Sequence, residues 1–294
     1  MKEIKLFFSK DWKDYELLDT GGGEKLERFG KYIFVRPYEN AVWSKTLSNK
    51  EWAKVDGKFW SSKEGPKKGW KMQSKIEEKW VMEYKGIKFF SSPTSFRHLG
   101  FFPEQASHWD FIETKIKTTK RSVKFLNLFG YTGVASLFAL RAGAEVTHLD
   151  ASKQVLSWAK ENEKLSDLIG MRVIEDDAIK FLEREEKRGN KYDAIIMDPP
   201  KFGRGPKGEV WKIEEMLPKL LSQVKKVLSD KPLFVILTSY AVDSSSLSLG
   251  YALEEMMKSF DGKIEQGELA VLEKSNNRII SLANTTLWSS NTRG

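Results

Sequence analysis

The stretch from Val123 to Gly133, VKFLNLFGYTG, constrains the fold more than any other part of the chain. Val123 to Phe129 is apolar but for Lys124 and Asn127, and beyond Gly130-Tyr131-Thr132-Gly133 the pattern turns helical, VASLFALRAG. A buried strand that turns on glycine into a helix is the opening unit of an α/β nucleotide-type site. Glycine serves such a turn by adopting backbone angles closed to bulkier residues and by letting a ligand reach the main chain. The unit alone is common. It gains specificity from three later strand ends that each close on an acid.

Beyond it, strands are predicted at 144–150, 171–177, 192–198 and 232–240, and helices at 134–142, 152–165, 178–188, 212–229 and 247–259. Residues 267–274 and 278–288 flank Ser275-Asn276-Asn277 and predict a closing hairpin. Alternating strands and helices make a mostly parallel sheet covered on both faces, and the hairpin puts an antiparallel pair at one edge. The expectation is an α/β fold: a seven-stranded, Rossmann-like sheet.

Residues 1–85 read differently. Short aromatic and β-branched runs such as KYIFVRPY (31–38), KFWSS (58–62) and KWVMEYKG (79–86) alternate with turn signals at 21–23 and 63–66, which predicts a small, mostly-β domain. Residues 86–122 form a bridge in this scheme, with Trp109, Ile112 and Ile116 on one helical face, and 123–294 form the main domain. Between residues 41 and 79, ten lysines face five acids, and Trp43, Trp52, Trp60, Trp70 and Trp80 fall in the 40 residues from 41 to 80. Lysines interleaved with aromatics suit RNA, by phosphate contact and base stacking. The same tryptophans also suit the core of a small β domain.

The excess of 49 Lys and Arg over 41 Asp and Glu gives a net charge of +8, which favours a polyanionic partner. No run approaches the roughly 20 apolar residues of a membrane span. The start, MKEIKLFFSKDW, lacks a signal peptide's apolar core, and the expectation is a cytoplasmic protein. With no cysteine there is no disulfide, thiolate ligand or cysteine nucleophile. His98, His108 and His148 have no metal-ligand spacing, so no metal is expected.

In an open α/β sheet the ligand lies beyond the carboxyl ends of the strands. Here Gly130 and Gly133 follow the first of the alternating strands, and the second ends on Asp150, 20 residues beyond Gly130, where a carboxylate can accept from ribose hydroxyls. The third ends on Asp176-Asp177-Ala178 and the fourth on Asp198-Pro199-Pro200-Lys201. A pyrophosphate would be repelled by such a ring of carboxylates. A cationic sulfonium with an amino-acid tail would not.

The segments LNLFGYTG (126–133), LDAS (149–152), EDDA (175–178), DPPKFG (198–203) and GFFPEQ (100–105) resemble those of the class I S-adenosylmethionine-dependent methyltransferases. Within that class the chain is similar to the ribosomal-RNA group related to the large-subunit cytosine-5 enzymes, over roughly its last two thirds. The resemblance implies S-adenosyl-L-methionine as cofactor and RNA, ribosomal in particular, as partner. Carried onto this sequence it implies that Phe129, Gly130, Tyr131, Thr132 and Gly133 line the methionine moiety. Asp150 with Ala151 would take the ribose, Asp177 with Ala178 the adenine, and Gln105 would reach the ligand from the bridge. Asp198, Pro199 and Pro200 would stand beside the transferred methyl, and Lys201 would meet the substrate.

One departure bears on mechanism. Methylation at carbon 5 of a pyrimidine needs a thiolate that adds to the ring. Where those relatives carry a cysteine after the fifth strand, this chain reads Leu237-Thr238-Ser239-Tyr240. The expected acceptor is therefore a nitrogen or oxygen, with an amine or ring nitrogen of a purine preferred. The glycine-rich 201–212, with Lys201, Arg204, Lys207 and Lys212, reads as a mobile lid that meets phosphate, over an unpaired or flipped base. A protein or small-molecule methyltransferase and a silent RNA-binding assembly factor stay open as alternatives.

Overall fold

The structure, a computed structural model, describes residues 3–60, 69–240 and 245–291. The turn expected at 63–66 lies outside the described residues. In chain order the elements are β1 (Ile4–Phe7), β2 (Tyr15–Gly21), β3 (Glu24–Phe29), β4 (Tyr32–Pro37), α1 (Asn49–Trp52), β5 (Gly57–Trp60), β6 (Gly69–Met72), β7 (Trp80–Tyr84) and β8 (Ile87–Ser91). A 3-10 turn (Pro103–Gln105) leads into α2 (Ala106–Lys117), β9 (Lys124–Leu128), α3 (Val134–Arg141), β10 (Glu145–Asp150), α4 (Lys153–Leu165), β11 (Arg172–Glu175), α5 (Ala178–Arg188) and β12 (Ala194–Met197). The remainder is β13 (Phe202–Arg204), β14 (Val210–Lys212), α6 (Ile213–Val227), β15 (Phe234–Ser239), α7 (Ser246–Met257), β16 (Gly262–Leu272) and β17 (Ile279–Ser290).

The chain divides into two compact units: Met1–Phe7, Ser107–Leu269 and Ser281–Gly294 in one, Phe8–Ala106 and Ala270–Ile280 in the other. The sequence reading ends the small domain at 85 and sets 86–122 apart as a bridge. The structure instead counts β8 and the 3-10 turn with the small unit, and all of α2 but its first residue with the large one. Strand pairing explains the first assignment, since β8 pairs with β7 along its whole length. Burial explains the second, because Ile112 and Ile116 of α2 sit in the large unit's core.

The large unit is built on an eight-stranded sheet of order β1-β16-β17-β15-β12-β9-β10-β11. Five strands, from β15 to β11, run parallel, and β17 joins β15 antiparallel. The sheet carries one strand more than the seven expected. That strand, β1, has only four residues, three of them exposed, so it shows no burial pattern to read. Alternate side chains feed the two faces, as the pleat requires. Leu126, Leu128, Ile195, Met197, Val235 and Leu237 pack under α5, α6 and α7. Phe125, Ala194, Ile196, Phe234 and Ile236 pack under α2, α3 and α4.

The small unit holds a five-stranded sheet, β2-β3-β4-β5-β6, and the β7-β8 pair. Trp52 and Trp80 are buried in it, and the indoles of Trp43, Trp52 and Trp70 donate to Thr20, to Asp19 and to the Thr94 and Phe96 carbonyls. Trp43 and Trp70 are half-buried, while Trp52 and Trp80 belong to the unit's interior. Its centre also buries Glu27, gripped by Arg36 through two hydrogen bonds of 2.7 Å and by the Tyr15 hydroxyl at 2.9 Å. Burial alone would raise the Glu27 carboxyl, but Arg36 and Lys25 outweigh it and hold the pKa at about 2.

Candidate active site

The sheet register brings the predicted corners to one edge. Leu128 pairs with Leu149 on one side and with Met197 on the other, so β9, β10 and β12 end level. One residue further, Phe129, Asp150 and Asp198 stand in a row across three adjacent strands. Glu175 pairs with Asp150, and so Asp176 and Asp177 extend the row beyond β11. At about 4.8 Å per strand the row is about 14 Å long. It straddles the place where the chain, having run from β9 outward to β11, returns to lay β12 on the other side of β9. Such reversals are where open sheets bind ligands.

The glycine turn is strained and held from beneath. Phe129 and Tyr131 take φ of 58° and 52°, angles uncommon for residues other than glycine, and Gly133 caps α3 at 86°. Gly130 N–H donates to Leu149 at 2.9 Å and Tyr131 N–H to Asp150 Oδ2 at 3.0 Å. Under the turn, His148 Nε2–H donates to the Tyr131 carbonyl at 3.1 Å, since a carbonyl only accepts. The neutral ring's Nδ1 therefore accepts from the Ser136 hydroxyl at 3.0 Å, and Ser136 Oγ accepts from Asn127 Nδ2, also at 3.0 Å. Burial pushes the imidazole down to about 4, so the ring is neutral. A Cβ on Gly130 would lie 2.3 Å from His148 Cε1, and this close approach is why glycine is required there.

Asp150 accepts from Ser152 N–H through Oδ1 and from Tyr131 N–H through Oδ2, both at 3.0 Å. Burial raises its pKa despite these donors, the signature of a carboxylate short of hydrogen bonds to its charged form. Ala151 follows it directly, at the start of the turn into α4. Asp177 caps α5, its Oδ1 accepting from Lys180 N–H at 3.0 Å, and Ala178 is the first, buried residue of that helix. Asp176 is spent locally, accepting from Asp177 N–H at 2.9 Å and pairing with Arg184.

After β12, Asp198 is half-buried, Pro199 buried, and Pro200 and Lys201 exposed. The segment read as a mobile lid is a two-stranded hairpin, β13 with β14. Trp211 explains it: its ring is 5 % exposed, its centroid lies 5.0 Å from that of Phe129, and its Nε1–H donates to the Pro200 carbonyl at 2.6 Å. Ile213 N–H adds a bond to the Lys201 carbonyl at 3.1 Å, and Glu209 pairs with Lys180. Thr238 and Ser239 close β15 in buried positions, Thr238 one residue past the Leu237 that pairs with Met197.

Gln105 lies in the 3-10 turn of the small unit, where it is 7 % exposed. The sequence reading also passed over Asn127, Ser136, His148 and Trp211. A polar residue inside each of the strands 123–129 and 144–150 was the available signal for the first and third. Among the described residues no group of three or more His, Asp or Glu is arranged to hold a metal ion. No helix among them is long and apolar enough to cross a membrane.

The family described as conserved hypothetical protein 95 matches residues 108–249. A crystal structure described as the SAM-dependent methyltransferase from Agrobacterium tumefaciens is 39 % identical to this chain, covering 98 % of it and 96 % of that protein with a TM-score of 0.92. Ribosomal RNA large subunit methyltransferase I of Aeromonas salmonicida is 34 % identical over 125 residues, which is 42 % of this chain and 31 % of that protein. Ribosomal RNA large subunit methyltransferase K of Neisseria meningitidis serogroup B is 27 % identical over 191 residues, 63 % of this chain and 52 % of that protein. The chain thus spans about a third to a half of the length of these two curated relatives.

Proposed function

Since the chain belongs to the class I S-adenosylmethionine-dependent methyltransferases, we propose that it methylates a nitrogen of an unpaired base in ribosomal RNA. When bound, S-adenosyl-L-methionine supplies a sulfonium methyl that needs no further activation. The residues present fit it. Asp150 keeps a lone pair on each oxygen for a ribose hydroxyl and gains the donors that its raised pKa asks for. The missing Cβ of Gly130 lets the turn settle directly onto His148, which fixes the main chain that is assigned to the ligand. Asp177 and the N–H of Ala178 are suited to the two faces of an adenine's hydrogen-bonding edge.

Toward the acceptor, Trp211 occupies the Pro200 carbonyl, and the Asp198 carboxylate and the Pro199 carbonyl are assigned to the N–H groups of an amine. Accepting from both hydrogens turns the nitrogen lone pair toward the methyl. With the cofactor bound, its sulfur would leave as the methyl passes to the nitrogen, and Asp198 would take the amine's surplus proton and hand it to water. Positioning of this kind is worth on the order of 7–11 kcal/mol in favourable cases. Lys201 and the basic small unit are assigned to phosphate, which predicts binding that weakens steeply with salt.

The observation that carries this reading is Asp198-Pro199-Pro200 standing level with the glycine turn in a chain without a cysteine. The relatives named for ribosomal RNA supply the substrate class. The test is incubation with methyl-labelled cofactor and ribosomal RNA from cells lacking the protein, followed by nucleoside mass spectrometry. Label in an N-methylated purine is the expected result. Label at carbon 5 of a pyrimidine would refute the nitrogen assignment, and label in protein alone would refute RNA.

A further inference from the structure

The β13–β14 hairpin has one face spent and one presented. Residues directly opposite in an antiparallel pair share a face. Gly203 and Trp211 are one such pair, turned inward, where Trp211 packs on Phe129. Phe202 with Lys212 and Arg204 with Val210 are the others, and they turn outward together. Phe202 is 58 % and Val210 52 % exposed, and Arg204 and Lys212 are exposed beside them. Arg204 has no carboxylate partner among the described residues, and Lys212 meets only Glu215 in an exposed pair at 2.8 Å, which a phosphate can displace at little cost.

Singly exposed apolar side chains are ordinary. Here an aromatic ring, a valine and two cations share one small face, and Phe202 follows the Asp198–Lys201 segment directly. The hairpin is also anchored at its base, by Trp211 to Pro200 and by Ile213 to Lys201, so the face keeps a set position relative to Asp198. We infer that this face binds single-stranded RNA beside the target nucleotide, with a neighbouring base stacked on Phe202 and backbone phosphate on Arg204 and Lys212. The inference deepens the proposed function and rests on it. A ring lying on an exposed platform reads no base edge, so the contact is tolerant of sequence. It holds the strand while the target base leaves the stack.

The experiment uses the full chain and a fluorescein-labelled, unstructured oligouridine in anisotropy titrations at several salt concentrations, beside methyl transfer to ribosomal RNA. Phe202→Ala should weaken RNA binding roughly tenfold, within the range of a lost base stack. Phe202→Tyr should keep it, and cofactor affinity should be unchanged in both, which separates the contact from misfolding. The double variant Arg204→Gln, Lys212→Gln should lower the slope of log affinity against log salt by about 1.4, two single-strand phosphate contacts. A wild type that methylates RNA while Phe202→Ala and the double variant bind oligouridine unchanged would overturn the hairpin inference alone. A wild type that binds no RNA, or labels only protein, would overturn the RNA reading and this inference with it.

Discussion

The indole N–H of Trp211 and the carbonyl of Pro200 meet at 2.6 Å, and this bond ties the hairpin to the loop after β12. The same ring lies 5.0 Å from Phe129, so one side chain sets the loop after β12 against the turn after β9. Trp211→Phe keeps most of the packing and removes the donor. Pro200 is exposed, so water can replace the lost donor and the net cost is about 0.5–1.5 kcal/mol; the transfer rate should fall several-fold while cofactor affinity holds. Trp211→Ala adds a cavity and should cost about 3–5 kcal/mol of stability. Urea denaturation and single-turnover transfer check both.

Gly130→Ala should damage cofactor binding as well as stability. The added methyl would lie 2.3 Å from His148 Cε1, and either the ring or the turn must move. Overpacking of this kind costs about 1–3 kcal/mol, and a displaced turn should weaken binding by at least tenfold in calorimetric titration with S-adenosylhomocysteine. Equal affinity for variant and wild type would remove the turn from the site.

Asp198→Ala separates enzyme from scaffold. Loss of a preorganised polar contact at the reacting group costs about a hundred- to a thousandfold in rate. RNA affinity and cofactor affinity should stay within a few fold. A variant that transfers methyl at the wild-type rate would take Asp198 out of the chemistry.

The buried imidazole of His148 makes stability depend on pH. Its pKa is pushed down to about 4 in the folded chain against about 6.5 when exposed, so the unfolded chain binds the extra proton between these values. Stability from the neutral ring is full above pH 6.5 and is lost as pH falls toward 4. Protonation also removes the acceptor that Ser136 uses. His98 and His108, each pushed to about 3 by burial, act in the same direction. The urea midpoint should fall across this window, and His148→Asn should flatten part of the fall. Asp150, raised by burial, acts on stability in the opposite direction, and its raised pKa means that cofactor affinity drops on acidification earlier than an ordinary carboxylate would dictate.

The parallel strands and their helices were legible because each strand is a short apolar run closed by glycine or aspartate, and each helix keeps a periodic apolar face. The acids at the ends of β10, β11 and β12 were legible for the same reason: strand ends point to one edge. Trp211 was not, because its partners are a main-chain carbonyl 11 residues earlier and a ring on another strand. The Asn127-Ser136-His148 relay was hidden likewise, since two polar residues in buried strands find a serine on α3 only once the sheet has formed. β1 was missed because a four-residue edge strand with three exposed side chains carries no pattern. The domain boundaries shifted because pairing and burial, not composition, decide which unit holds β8 and α2.

A crystal structure with S-adenosylhomocysteine bound tests the site most directly. We expect the ribose hydroxyls on the Asp150 carboxylate, the adenine at Asp177 and Ala178, and the sulfur facing Asp198 across the glycine turn. Density for the nucleoside anywhere other than the β9–β12 edge would contradict the assignment.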